Sequence, residues 1–153
     1  MAGGKSAVSN SVAYFMANPR SQSAATQRPP RILIIEDELL IALLIEEMVR
    51  VIGYRVSRVA YTMTMARQEF VKSNFDAVLL DINIGGRYQP EIADFLHDRG
   101  VPFAFVTGYD YFIVPRHQTA PVLQKPFTAV DLRGLLEELV GSGSPTGKIV
   151  QTA

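Results

Sequence analysis

The stretch Arg31-Ile-Leu-Ile-Ile-Glu36-Asp37-Glu38 joins four consecutive branched aliphatic residues directly to three acids. Such an unbroken apolar run reads as a strand buried on both faces, as in a parallel sheet covered by helices. Carboxylates are costly to bury, so a cluster at the mouth of such a strand calls for a cation. In open α/β sheets the carboxyl ends of the strands are where ligands bind. Two further runs repeat the arrangement. Ala77-Val-Leu-Leu-Asp81 ends in one aspartate, and Pro121-Val-Leu-Gln-Lys125-Pro126 ends in a lysine.

Around these runs, strand and helix patterns alternate five times. Strand 31–35 leads to a helix near 38–51, with Leu40, Leu43, Leu44 and Met48 as its inward face and Gly53 as its C-terminal cap. Strand 54–59 follows, then a helix capped by Thr62 and running through about Val71. Strand 76–80, a helix near 91–97 stopped by Gly100, and strand 102–106 come next. Residues 108–119 are broken by Pro115, so any helix there is short. Strand 121–124 and a helix near 128–140, with Leu132, Leu135, Leu136 and Leu139 inward, complete the set. Alternation of this kind predicts a parallel sheet wrapped by helices on both faces.

The chain has 153 residues, one domain's worth, and 48% hydrophobic content supports a real core. There is no cysteine, which excludes disulfides, thiol catalysis and cysteine-ligated metals. No apolar stretch approaches the roughly 18 residues that span a bilayer. All acids lie between Glu36 and Glu138, a window with ten basic and fifteen acidic residues, so its charge is about −5 and nucleic acid is a poor partner. Residues 1–30 are basic, acid-free and rich in Ser and Ala, with Val12-Ala-Tyr-Phe-Met16 as their one apolar patch. They read as a disordered extension, and residues 141–153 as a disordered tail, around a domain at 31–140. A cytoplasmic protein with no membrane association is expected.

Two acids at one strand end and a third at its neighbour form an oxygen-rich site suited to Mg²⁺. A bound cation offsets the mutual repulsion of the carboxylates. Asp81 can then act as a nucleophile toward a phosphoryl group, giving an aspartyl phosphate. Lys125 supplies a fixed cation for the phosphoryl oxygens, and Thr107 a hydroxyl at the end of the fourth strand. His97 and His117 read as surface residues, and Tyr109, Tyr111 and Phe112 as a candidate exposed aromatic cluster.

These fragments together, Ile-Ile-Glu36-Asp37-Glu38, Leu-Leu-Asp81-Ile-Asn83, Val-Thr107-Gly108 and Gln-Lys125-Pro126-Phe127, resemble the receiver domain of two-component response regulators. The resemblance implies a flavodoxin-like fold with five parallel strands in the order 2-1-3-4-5. It implies Asp81 as phosphoacceptor, with Thr107 and Lys125 as its phosphate-contacting partners. It also implies Glu36, Asp37, Asp81 and the Asn83 backbone carbonyl as the Mg²⁺ site. Pro102-Phe-Ala-Phe-Val-Thr107-Gly-Tyr109 further resembles the signature of the "FAT GUY" single-domain regulators of alphaproteobacteria, which are associated with kinases of the HWE type. Three positions depart from these patterns. Val106 replaces an alanine, Val122 stands where receivers carry an aromatic, and Gly85-Gly86 stand where a proline is common. The two glycines predict positive φ and a mobile loop beside the site.

The expected function is that of a stand-alone, non-enzymatic switch. It would take a phosphoryl group from a sensor histidine kinase and signal to a downstream protein or phosphotransfer partner, since no DNA-binding domain fits after residue 140. One alternative is a pseudo-receiver adaptor working without phosphate. Another is a Mg²⁺-dependent phosphohydrolase, which Asn83 disfavours because it cannot serve as a general acid.

Overall fold

The computed structural model describes residues 28–108 and 114–141. Strand β1 (Arg31–Ile35) is followed by α1 (Leu39–Ile52), β2 (Arg55–Ala60), α2 (Met63–Lys72) and β3 (Ala77–Leu80). A short pair, β4 (Asn83–Ile84) and β5 (Arg87–Tyr88), precedes α3 (Glu91–Asp98) and β6 (Phe103–Thr107). A 3₁₀ turn at Pro115–His117, β7 (Val122–Gln124) and α4 (Ala129–Gly141) close the order. The five long strands form a parallel sheet in the order β2-β1-β3-β6-β7, the 2-1-3-4-5 arrangement expected.

Successive residues of a strand face opposite sides of its sheet, and the central strands feed two cores accordingly. Ile32, Ile34 and Leu79 pack with Ala42, Ile45 and Val49 of α1 and with Leu132, Leu135, Leu136 and Leu139 of α4. Leu33, Ile35, Val78 and Leu80 pack on the other side with Ala66 of α2 and with Ile92, Ala93 and Leu96 of α3. Every residue of β3 is buried, as its continuous apolar run requires. Phe70 of α2 stacks on Phe95 of α3 at 4.8 Å between ring centroids, which ties these two helices to each other.

The caps follow the sequence. Thr62 accepts a hydrogen bond from the Met65 N–H at 3.2 Å, and Gly53 ends α1 with φ 105°, a left-handed value. The face of α1 does not follow it. Leu40, Leu43 and Leu44 are exposed, and Ala42, Ile45 and Val49 line the core instead. Apolar residues occupy seven successive positions of this helix, 39 through 45, so periodicity alone selects no face. The small Ala42 is fully buried in the same core cluster as Ile32 and Ile34.

The loop expected at Gly85-Gly86 is the turn of an antiparallel hairpin, in which Asn83 pairs with Tyr88 and Ile84 with Arg87. Both glycines have positive φ, 64° and 71°, as a type I′ turn demands. His117 is another correction, because it is buried rather than on the surface. Its Nε2 lies 2.7 Å from Asp94 Oδ1, and its ring meets those of His97 and Phe103 edge to face. His97 is exposed, as expected.

Candidate functional site

Strand register brings the distant charged residues together. Ile35 is level with Leu80 across the β1–β3 ladder, so Glu36 and Asp81, each one step further, leave the sheet side by side. The ladder continues past the strands, with the Asp81 N–H donating to the Ile35 carbonyl at 2.9 Å and the Glu36 N–H to the Ala60 carbonyl at 3.1 Å. At the other edge Thr107 is level with Gln124, and the Lys125 N–H donates to the Thr107 carbonyl at 2.7 Å. Lys125 thereby emerges at the same end of the sheet as the acids, three strands away from Glu36 in sheet order.

The Lys125 ammonium closes that distance. Its Nζ donates to Glu36 Oε2 at 2.6 Å and to Asp81 Oδ2 at 3.1 Å. Glu36 is 1% exposed and Asp81 8%, so this ion network is largely buried, with the Lys125 side chain partly open to solvent. Glu36 Oε1 accepts the Glu38 N–H at 3.1 Å, and Asp81 Oδ1 accepts the Asn83 N–H at 2.8 Å. Asp37 is half-buried, and its Oδ2 accepts the Gly85 N–H at 2.8 Å from the hairpin. One carboxylate oxygen from each of Glu36, Asp37 and Asp81 lies within 4.8 Å of the other two.

The charges follow from burial and pairing. Burial pushes the Glu36 carboxyl above its ordinary value, against the pull of the Lys125 hydrogen bond. Burial would lower the Lys125 ammonium, but the Glu36 hydrogen bond and the charge of Asp81 outweigh it and hold the ammonium above its ordinary value. The two shifts favour opposite states of the pair, a neutral acid and a charged ammonium. Contact geometry decides for the ion pair at neutral pH: an ammonium 2.6 Å from one carboxylate and 3.1 Å from a second is stabilised as a cation.

The structure thus gathers Glu36, Asp37, Asp81 and Lys125 at one place, with Asn83 bonded to Asp81 through its backbone. Thr107 is buried at the end of β6 beside Lys125. Tyr109, Tyr111 and Phe112 lie outside the described residues. Sequence reading missed the hairpin contact to Asp37. Its signal was present, because Gly-Gly between two short β-competent pairs is a hairpin sequence.

No family model matches the chain. It is 34% identical to SdrG from Sphingomonas melonis Fr1, whose solution structure it matches over 96% of that chain and 72% of its own, with a TM-score of 0.65. The receiver domain of PhyR from Erythrobacter litoralis, called a response regulator, matches at 26% identity over 97% of its length and 81% of this chain, again with a TM-score of 0.65. This chain belongs to the response-regulator receiver domains. The receiver is also 29% identical over 128 residues to the phyllosphere-induced regulator PhyR of Methylorubrum extorquens, covering 80% of this chain and 48% of PhyR. It therefore spans about half the length of that relative. The five-stranded parallel sheet is that of the receiver fold. No helix among the described residues is long and apolar enough to cross a membrane.

Proposed function

We propose that this receiver is a phosphorylation-dependent signalling switch in which Asp81 accepts a phosphoryl group from a sensor histidine kinase. The observation that carries the reading is the Lys125 ammonium bridging Glu36 and Asp81, with Asp37 alongside. In the transfer, an Asp81 carboxylate oxygen forms the new bond to phosphorus as the bond to the donor's histidine nitrogen breaks. Lys125 stays protonated throughout and neutralises charge on the phosphoryl oxygens, and Thr107 supplies a hydroxyl to the same group.

The donor set fits Mg²⁺, a hard cation that takes a few carboxylates and keeps several waters. Glu36, Asp37 and Asp81, which offer carboxylate oxygens within 4.8 Å of one another, would hold it together with the Asn83 backbone carbonyl. When bound, the ion supplies charge neutralisation that brings an anionic phosphoryl group to anionic Asp81. Output would be a change in affinity for a downstream protein or phosphotransfer partner.

Acetyl phosphate with Mg²⁺ tests this by intact-protein mass spectrometry. One phosphoryl group should add to the wild type and none to Asp81→Asn, while Asp37→Asn should need far more Mg²⁺ for the same yield. Stoichiometric phosphorylation of Asp81→Asn would place the chemistry elsewhere.

A further inference from the structure

Helix α1 carries an apolar stripe that nothing among the described residues covers. Leu40 is 81% exposed, Val51 67%, Leu39 57%, Leu44 54% and Leu43 47%. Positions 40, 44, 47 and 51 fall on one line of a helix, with 39 and 43 beside it. A monomeric protein rarely leaves so many large aliphatic side chains together in water. Glu47 is exposed within the stripe, and Glu38 is exposed at its start.

The chain itself holds a segment that fits this surface. Residues 1–27 contain Val12-Ala-Tyr-Phe-Met16, five apolar residues in an otherwise polar stretch, together with Lys5 and Arg20 and no acid. Where that stretch meets the fold is known. Arg28 is held by Asp76 through two hydrogen bonds of 3.0 Å, and the Pro30 carbonyl accepts the Arg55 N–H at 3.0 Å. Arg55 follows the Gly53 cap of α1 by two residues, so the chain enters the fold beside the C-terminal end of that helix. From Arg28 back to Met16 an extended chain reaches about 40 Å. The 14 residues of α1 span only about 21 Å. Every point of the stripe is within range, with slack.

We propose that Val12–Met16 docks on the exposed Leu40–Val51 face of α1 and serves as an intramolecular cover for it, with the basic tail residues beside Glu38 and Glu47. Tethering favours this over capture of a separate molecule, because a short linker gives a local concentration on the order of millimolar. The cover does not depend on phosphate chemistry at Asp81, so failure of one idea leaves the other standing.

The absence of native cysteine makes a clean test available. A nitroxide attached at Ser9→Cys in the full chain should strip most of the intensity from amide signals of Leu40 through Val51. Signals of α3, on the opposite face of the sheet, should keep theirs. Tyr14→Ser with Phe15→Ser should restore the α1 signals, and so should Leu40→Ser with Leu44→Ser on the exposed face. Loss that is no greater at α1 than at α3 overturns the proposal. So does loss seen only when spin-labelled protein is mixed with a separate isotope-labelled copy, which would assign the face to a second molecule.

Discussion

At the scale of single residues, Lys125 is the member of the site whose removal is most informative. Among the described residues it is the cation that pairs with buried Glu36, and it also pairs with Asp81. Taking away one partner of a buried ion pair strands the other charge, at a cost of about 3 kcal/mol. Lys125→Met should therefore lower unfolding stability by about that amount at neutral pH, measured by urea denaturation. The deficit should have a direction in pH. Burial raises the Glu36 carboxyl above 4.5, so the folded state already favours its neutral form, a contribution present at low pH and lost as pH rises through the folded value. Without Lys125 that preference strengthens. The gap between variant and wild type should narrow as pH falls toward 4.5, and a gap independent of pH would mean that Glu36 is not the stranded group.

At the scale of elements, the β4–β5 hairpin is the feature that sets this site apart from a bare strand end. Its tip holds Asp37 through the Gly85 N–H, so turn chemistry and site geometry are one problem. Gly86 has φ 71°, and no atom lies within 4 Å of where a Cβ would stand. Substitution there meets conformational strain rather than a clash. Gly86→Ala should cost roughly 1–2 kcal/mol of hairpin stability, because an L-residue with a Cβ is forced left-handed. Amide exchange at Gly85 and Tyr88 should then quicken about tenfold, with Gly86→Asn intermediate because asparagine tolerates this region. Unchanged exchange in Gly86→Ala would show that the turn adopts another form.

At the scale of the whole molecule, two acids pin distant parts of the chain to the sheet and its helices. Asp76 receives Arg28 at the chain's entry into the fold, and Asp94 receives His117 and Arg116 from the connection between β6 and β7. Burial would raise the Asp76 carboxyl, but hydrogen bonds from Arg28 and Arg31 outweigh it and leave it below 3.8. Asp94 is lowered first by its hydrogen bond to His117 and then by the charge of Arg116. A depressed carboxyl contributes stability above its unfolded value and loses it as pH falls through the folded one. Asp94→Asn should thus be less stable than wild type at neutral pH and converge with it below about pH 3.8. Urea midpoints across that range check the sign. Parallel curves would exclude the His117 contact as the cause.

How far the sequence alone determined this protein depends on the distance over which each signal acts. The strands were legible because β1 and β3 are continuous apolar runs, and the caps at Thr62 and Gly53 because capping is settled within four residues. The identities of Glu36, Asp37, Asp81 and Lys125 as a group were legible because each ends a strand in a parallel sheet, which collects carboxyl ends on one edge. Tertiary structure decided which face of α1 turned inward, since a helix apolar at seven successive positions carries no preference of its own. It decided the burial of His117, which rests on Asp94 from another element 23 residues away. It also decided that Lys125 reaches both Glu36 and Asp81, because strand register, a property of paired backbones, sets the distances among side chains far apart in sequence.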